Sequence, residues 1–369
     1  MLLRLLSCII ILPLFFTSTL HADEKTIIAE GDFSTGLVEN SLTATSVAIA
    51  TGIDFIELQL AMTSDNQIVV FQDLLLNGIT DVARLFPDKK REGGGYYVID
   101  FTLREIQQLR VSNPFAANKY TLSAPIPTLA EELGLIRKLE EHFNTNINIT
   151  IEIKHPWFYQ KAGKDISAAT IDTLTFFNYG TENNTLYIQC FDPEELQRIS
   201  GTLLPARQLN IPLIQLIGVN DGQETRQLNQ NKWEPYNYDW VFTNIGLRMI
   251  ASYATTIALP NNSIVDRNGN ILLAEYIQDI HQYGLQVFTY SLNNRLDGLP
   301  PVANNFSALL DVYFNQANID GVYTDTFGDI RQYLRDQAEE KKQKEKLPEF
   351  FSNLKLSRPT PTGKPVPVE

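Results

Sequence analysis

The sequence has few residues of the types that form disulfides or bind transition metals. It contains two cysteines and four histidines in 369 residues. Cys8 lies in an N-terminal apolar segment that we expect to be removed, so Cys190 has no partner for an internal disulfide. Stability must then come from a hydrophobic core. Because Cys190 ends an apolar stretch, we expect it to be a core residue rather than a nucleophile.

Several catalytic signatures are also missing. The sequence has no Gly-x-Ser-x-Gly motif, no phosphate-binding glycine-rich loop and no Cys/His metal cluster. No histidine is expected at the end of a strand. His21 leaves with the N-terminal segment, His142 and His281 lie on predicted helices, and His155 heads a predicted loop. Any hydrolytic chemistry must therefore rest on carboxylates and Lys154, with a metal ion if one binds.

Positive charge is in short supply. Lys and Arg total 30 against 43 Asp and Glu, which gives a formal net charge of -13. Such a balance argues against nucleic acid or an anionic membrane surface as the partner. It is compatible with binding a cation.

Residues 1–22 have the pattern of a secretory signal peptide. Arg4 gives a short positive region, residues 5–16 are mostly apolar, and Ala22 is a suitable last residue before cleavage. The alternative, a membrane anchor, is disfavoured because the apolar run is shorter than the roughly 20 residues that a span needs. We therefore expect export to a periplasm or beyond, and no membrane span in the mature chain.

Helical and strand patterns alternate through residues 23–340, which predicts a (β/α)8 TIM barrel. Several strands are continuous apolar runs, as expected when helices cover the sheet. A doubly wound sheet is the alternative. A small inserted region after the second strand is predicted at about 74–125, preceded by a further short strand at 68–71. The predicted barrel strands are 26–29, 53–60, 148–153, 185–190, 211–216, 255–259, 285–289 and 321–324.

The last 29 residues differ in composition from the rest. Residues 341–346 are a run of Lys, Glu and Gln, and residues 347–369 contain five prolines. Following a last helix at 327–340, this composition predicts a charged and then proline-rich flexible tail. A docking segment is the alternative.

Polar residues collect where the predicted strands end. Barrel enzymes carry their chemistry at this end of the strands. Glu57 and Gln59 lie two apart on one strand, as do Glu152 and Lys154 on another, so each pair points to one side. Other strand ends supply Glu30, Gln72, Asp73, Gln189, Phe288 and Asp325.

Three glutamates at one mouth repel each other unless a cation compensates. Glu30, Glu57 and Glu152, with the side-chain carbonyl of Gln59, form an all-oxygen ligand set of the kind that hard cations use. We expect a divalent cation, Ca²⁺ ahead of Mg²⁺. Lys154 would pair with Glu152 or hold an anionic group of a ligand. The alternative is a set of ordinary ion pairs and hydrogen bonds at a barrel rim.

The chain resembles the glycerophosphodiester phosphodiesterase family, most closely its exported, bacterial periplasmic type. The resemblance covers the expected mature chain to about residue 335 and includes the stretch Ile151-Glu-Ile-Lys-His-Pro-Trp-Phe158. It implies the TIM barrel, a small-molecule phosphodiester or related ligand, and hydrolysis of glycerophosphodiesters to glycerol 3-phosphate and an alcohol. The matching stretches are residues 52–63, 80–87, 96–103, 126–129, 151–158, 189–192, 283–287 and 321–325.

The resemblance also implies substitutions at the two catalytic positions. In the family the first strand ends in Ala-His-Arg-Gly, whose histidine is an acid/base residue and whose arginine binds phosphate. Here that stretch is Ala29-Glu-Gly-Asp32, so Glu30 stands in place of the histidine and Gly31 in place of the arginine. The second histidine belongs to a His-Asp pair that is here Gln72-Asp73.

Other positions of the family site are partly kept. The Glu-x-Asp metal pair of the family is here Glu57-Leu-Gln59, and the Glu-x-Lys element is Glu152-Ile-Lys154. The resemblance thus implies metal binding at Glu57, Gln59 and Glu152, with Glu30 as a possible fourth ligand. It implies substrate binding at Lys154, Glu39, Gln189 and Phe288.

Hydrolysis of a phosphodiester needs a base for the nucleophile and an acid for the leaving alkoxide, each contributing roughly 10²–10⁴-fold. Gln72 cannot exchange a proton at neutral pH. We therefore expect family activity to be weak or lost, with ligand binding at the mouth retained. Two alternatives stay open: an active metal-dependent phosphodiesterase built on Glu30, Glu57 and Glu152, and a purely non-catalytic binding protein.

Overall fold

The computed structural model describes residues 25–30, 37–112, 122–180, 186–294 and 305–353, with side chains to residue 343. The expected signal peptide, Gly31 and the last sixteen residues of the predicted tail lie outside these ranges. Across the described part of the chain, no helix is both long enough and apolar enough to cross a membrane.

Eight parallel strands close into a barrel. Thr26–Ala29 pairs with Gly321–Thr324 on one side and with Phe55–Met62 on the other, where Ile28 faces Phe55 and Ala29 faces Ile56. The predicted (β/α)8 barrel is confirmed, and the doubly wound alternative is excluded because the first strand has neighbours on both sides. The strands are Thr26–Ala29, Phe55–Met62, Asn148–Ile153, Leu186–Cys190, Leu213–Leu216, Thr256–Pro260, Gln286–Tyr290 and Gly321–Thr324.

Helices surround the barrel, and several begin at side-chain caps. Ser41 accepts a hydrogen bond from the Ala44 amide, and Thr128 forms a capping box with Glu131. The α-helices around the barrel are Leu42–Ala50, Leu129–Phe143, Pro156–Lys161, Ile166–Phe176, Pro193–Arg198, Leu204–Ala206, Asn244–Ile250, Asn261–Ile264, Ala274–Gln282, Phe306–Asp311 and Phe327–Asn353. Wider π-type turns at Ile199–Leu203 and Val312–Gln316 extend two of them, and Asp239–Phe242 is a 3₁₀ turn.

Two apolar layers pack against the barrel strands. The larger layer lies between the strands and the helices and includes Cys190, whose Sγ is 3.1 Å from the Ile153 carbonyl oxygen. The smaller layer comprises Ile28, Phe55, Ile214, Leu216, Ala258, Phe288 and Tyr323. Within the smaller layer Phe288 packs directly over Gly321, where a Cβ atom would lie 2.6 Å from two ring carbons.

The segment after the second barrel strand does not add to the closed barrel. Ile68–Val70 runs antiparallel to the end of Phe55–Met62. The residues that follow form short elements: helical turns at Val82–Leu85, Pro87–Lys89, Val98–Asp100 and Leu103–Ile106, and paired strands at Val111–Ser112 and Ser123–Ala124. They enclose a separate apolar cluster that includes Phe71, Leu76, Val98, Phe101 and Ile106.

Three elements differ from the sequence-based predictions. The last helix continues beyond residue 340 to Asn353, because Lys, Glu and Gln in the charge run are strong helix formers. Pro156–Lys161 is a helix where a loop was predicted, since proline suits the first helical turn. Arg226–Asn229 and Lys232–Pro235 form an unpredicted antiparallel hairpin.

Candidate active site at the barrel mouth

The predicted glutamates meet at the carboxyl ends of three strands. Glu30 directly follows the first strand, and its amide donates to the Thr324 carbonyl across 3.0 Å. Glu57 is in the second strand and Glu152 in the third, and both are almost fully buried. The charge of Glu152 raises the pKa of both Glu30 and Glu57, and the charge of Glu30 also raises the pKa of Glu57. The three carboxyl groups therefore share one electrostatic environment.

Glu57 belongs to a buried chain of hydrogen bonds. The Tyr323 hydroxyl donates to Oε1 of Gln189 at 2.5 Å, and Nε2 of Gln189 donates to Oε1 of Glu57 at 2.6 Å. Oε2 of Glu57 is buried and has no hydrogen-bond partner. Gln189 therefore fixes Glu57 rather than standing free for a ligand, and Tyr323 is a site residue that the sequence did not reveal.

A second series of hydrogen bonds leads to the ammonium group of Lys154. Asn40 contacts Oε1 of Gln59 at 3.5 Å, Nε2 of Gln59 donates to Oε2 of Glu152 at 3.1 Å, and Lys154 donates to Oε1 of Glu152 at 3.2 Å. Gln59 thus contributes its amide donor to Glu152. Both carboxylate oxygens of Glu152 are occupied by donors from the protein.

Burial and crowding shift the protonation of this cluster. Burial raises the pKa of Glu30 to about 7, with repulsion from Glu152 and Asp325 acting in the same direction. Burial, with repulsion from Glu152 and Glu30, raises the pKa of Glu57 well above its usual value. Burial alone would lower the pKa of Lys154, but the neighbouring carboxylates outweigh it and raise that pKa. Glu30 is therefore a group that titrates near neutral pH.

The arrangement does not form a ready metal-ligand set. Within the described ranges, no three His, Cys, Asp or Glu side chains are grouped so as to hold a metal ion. Gln59 turns a donor toward Glu152, and Gln189 and Lys154 occupy further carboxylate oxygens. The residue types suit a hard cation, but their side chains are arranged as a hydrogen-bonded network.

The remaining predicted residues occupy different surroundings. Gln72 is half-buried in a bend after Ile68–Val70, and the exposed Asp73 accepts a hydrogen bond from the Leu75 amide. Glu39 is half-buried in the turn that precedes Leu42–Ala50. Phe288 has no exposed surface and packs in the barrel interior.

A small cleft of about 10 Å³ lies beside the polar network and includes a histidine that the sequence-based prediction set aside. Glu152, Lys154, His155, Phe191 and Glu224 line it. His155 lies two residues beyond the end of the third strand and precedes helix Pro156–Lys161. Its neighbours Pro156 and Trp157 predicted that it heads a loop, and no histidine was expected at a strand end; His155 instead precedes a helix and lies beside Glu152 and Lys154 at the mouth.

Sequence comparisons agree with this architecture. Residues 29–329 match the Glycerophosphoryl diester phosphodiesterase family. The chain belongs to that family. It is 34% identical over 326 residues to the glycerophosphodiester phosphodiesterase of Haemophilus influenzae, covering 84% of this chain and 89% of that protein. It is 32% identical to the glycerophosphodiester phosphodiesterase of Treponema pallidum, covering 82% and 90% respectively.

Solved structures of the family share the fold at lower sequence identity. A putative glycerophosphoryl diester phosphodiesterase from Silicibacter pomeroyi aligns with a TM-score of 0.59 at 17% identity, over 86% of this chain and 95% of that one. A phosphodiesterase from Oleispira antarctica, solved in complex with the product sn-glycerol-3-phosphate, aligns with a TM-score of 0.57 at 17% identity, over 84% and 96%.

Proposed function

We propose that the protein binds a glycerophosphodiester at the barrel mouth and hydrolyses it weakly at most. Membership of the phosphodiesterase family supports the ligand class. The observation that carries the proposal is the pairing of Lys154 with Glu152 inside a cleft at the mouth. Lys154 offers a cation to a phosphate group, while Glu30 and Gln72 stand where the resemblance places catalytic histidines.

The reduced rate follows from the chemistry of those two positions. Gln72 cannot exchange a proton, and Glu30, when ionised, repels an incoming phosphodiester anion. The loss of each acid/base group costs roughly 10²–10⁴-fold in rate. A non-catalytic binding protein is the limiting case of this proposal.

Calorimetry and a turnover assay test the proposal together. Glycerophosphocholine and glycerol 3-phosphate are each titrated into the purified protein, and release of glycerol 3-phosphate is followed separately. We expect saturable binding with turnover far below the usual enzymatic range of about 1–10³ s⁻¹. Turnover within that range would contradict impaired activity, and lack of binding would contradict the whole proposal.

A second candidate is an active phosphodiesterase that holds a divalent cation at Glu30, Glu57, Gln59 and Glu152. Two observations favour it: the buried Oε2 of Glu57 lacks a partner, and burial, with repulsion among the carboxylates, raises the pKa values of Glu30 and Glu57. Such a site would require Gln59 to turn its carbonyl oxygen toward the cation. A bound cation would neutralise the cluster and a phosphate together.

Calcium titration separates the two candidates. If a cation binds, the melting temperature should rise with Ca²⁺ concentration by mass action, and Mg²⁺ should act more weakly. Glu30→Ala should then reduce the shift and the turnover together, whereas Glu141→Ala on an exposed helix position should change neither. No shift up to millimolar Ca²⁺ would remove this candidate.

We also propose that the protein is exported. The support is the residue pattern of positions 1–22. N-terminal sequencing of the protein recovered from a periplasmic or culture fraction should begin at Asp23. Recovery of the uncleaved chain from the cytoplasm alone would contradict export.

A further inference from the structure

His155 has one ring nitrogen fixed by the backbone. Its Nδ1 lies 3.0 Å from the carbonyl oxygen of Glu224. A carbonyl oxygen only accepts hydrogen bonds, so Nδ1 must carry the proton in the neutral ring. Nε2 then has the free electron pair of a base. A fixed tautomer of this kind is what a proton-accepting histidine needs.

The carbonyl that orients His155 is itself held in place. Thr225, next to Glu224, donates from Oγ1 to Oδ2 of Asp192 at 3.1 Å. Oδ1 of Asp192 in turn accepts from the amides of Glu194 and Glu195 at the start of helix Pro193–Arg198. The loop that carries Glu224 is thus tied to a barrel helix, which favours one stable orientation of the imidazole.

The surroundings of His155 favour the neutral form of its ring, next to the positive charge of Lys154 that would bind the phosphate group. Burial lowers its pKa, and the positive charge of Lys154 acts in the same direction, while Glu152, the hydrogen bond to the Glu224 carbonyl and Asp73 oppose both without outweighing them. Lys154 is the next residue in the chain, and both line the cleft with Glu152. His155 also adopts a left-handed backbone conformation, with φ 49°, which is uncommon for residues other than glycine and is concentrated at functional sites.

From this geometry we infer that His155 is the general base of the weak phosphodiester hydrolysis at the barrel mouth. The inference rests on the proposed function, because it requires a phosphodiester held by Lys154. Nε2 takes a proton from the attacking water as the water oxygen bonds to phosphorus. The bond from phosphorus to the leaving alcohol oxygen breaks, and that oxygen takes a proton from solvent. The imidazolium then returns its proton to solvent.

Substitution at position 155 tests the role. His155→Gln should lower kcat about 10²–10⁴-fold and leave the Kd for glycerol 3-phosphate within about three-fold. Added imidazole should restore turnover to His155→Ala, since it replaces the lost base. The wild-type kcat/KM should fall at acidic pH, as Nε2 becomes protonated, and His155→Gln should lose that dependence. His142→Gln, at an exposed helix position, is the matched control and should behave as wild type.

Each opposing result has a distinct meaning. Unchanged turnover in His155→Gln, or no response of His155→Ala to imidazole, overturns the inference while binding stands. Binding by the wild type without any turnover does the same. Absence of glycerol 3-phosphate binding by the wild type and His142→Gln instead overturns the proposed function. Nitrogen-15 NMR of the wild-type protein gives a check independent of activity: His155 should be neutral with its proton on Nδ1, and a proton on Nε2 would overturn the inference.

Discussion

At the residue scale, a buried carboxyl outside the barrel mouth offers a clear electrostatic test. Glu132 lies in the first turn of helix Leu129–Phe143, fully buried, and neither side-chain oxygen reaches a hydrogen-bond partner at ordinary geometry. Burial raises its pKa to about 7 from 4.5, with the nearby Thr45 hydroxyl offsetting part of the shift. The folded protein therefore favours the protonated form.

This shift predicts that stability falls as pH rises from 4.5 to 7. In that window the folded state holds a proton that the unfolded state has released. Ionisation of Glu132 therefore destabilises the folded state most strongly above pH 7. Glu132→Gln should raise the free energy of unfolding at pH 8 by up to about 3 kcal/mol and change little at pH 4. Urea denaturation at both pH values measures this, with the exposed Glu141→Gln as control. Equal effects at the two pH values would contradict the prediction.

Residue-scale chemistry was only partly predictable from sequence. The convergence of Glu30, Glu57 and Glu152 was predicted from their places towards the carboxyl ends of three barrel strands, which meet at one mouth. Tyr323 and the carbonyl of Glu224 could not be found that way. Their roles depend on contacts over 134 and 69 residues of sequence, which local patterns do not encode.

At the element scale, the hairpin Arg226–Asn229 and Lys232–Pro235 packs on helix Pro156–Lys161 through aromatic contacts. The rings of Trp233 and Trp157 lie 5.8 Å apart, and the Arg226 guanidinium lies 5.3 Å from the Trp157 ring centre. These contacts join the hairpin, which begins shortly after Glu224, to the helix Pro156–Lys161, which directly follows His155. The hairpin thus helps to hold the mouth in shape.

Removing one of these rings should loosen the hairpin locally. We expect Trp233→Ala to cost about 1 kcal/mol, in the range for an aromatic pair, and to speed hydrogen exchange in the hairpin amides. Lys232→Ala, at an exposed position of the same strand, should leave exchange unchanged. Equal exchange in the two variants would show that the aromatic contact does not hold the hairpin.

Elements were predictable where apolar runs were long and caps were present. All eight barrel strands were expected within a few residues of their observed bounds. The short helix after His155 and the polar hairpin were missed, because tertiary contacts rather than local periodicity stabilise them. The last helix was predicted too short, since charge alone does not end a helix.

At the scale of the whole molecule, two neighbouring strands of the barrel make one close contact in its interior. Phe288 of the seventh strand faces Gly321 of the eighth in the paired register. The ring fills the space that a side chain at position 321 would need. The absence of a Cβ atom at Gly321 therefore allows an aromatic ring inside the barrel.

Adding that carbon should destabilise the whole barrel. Gly321→Ala is expected to cost about 1–3 kcal/mol, as for other overpacked cores, and Phe288→Leu in the same chain should recover part of the loss. Gly328→Ala is the control, because a Cβ atom there meets no other atom within 4 Å. A double-mutant cycle from urea unfolding measures the coupling, and strictly additive effects would refute the contact as the cause.

The buried position of Cys190 gives the protein a practical property. Its thiol is 1% exposed and contacts the Ile153 carbonyl, and burial raises its pKa well above the usual value. It should resist alkylating reagents in the folded state. In a chain that begins at Asp23, and so lacks Cys8, a cysteine engineered at Lys232 would be the single reactive thiol. A fluorophore attached there would report motion of the hairpin beside the mouth without any change to the native core.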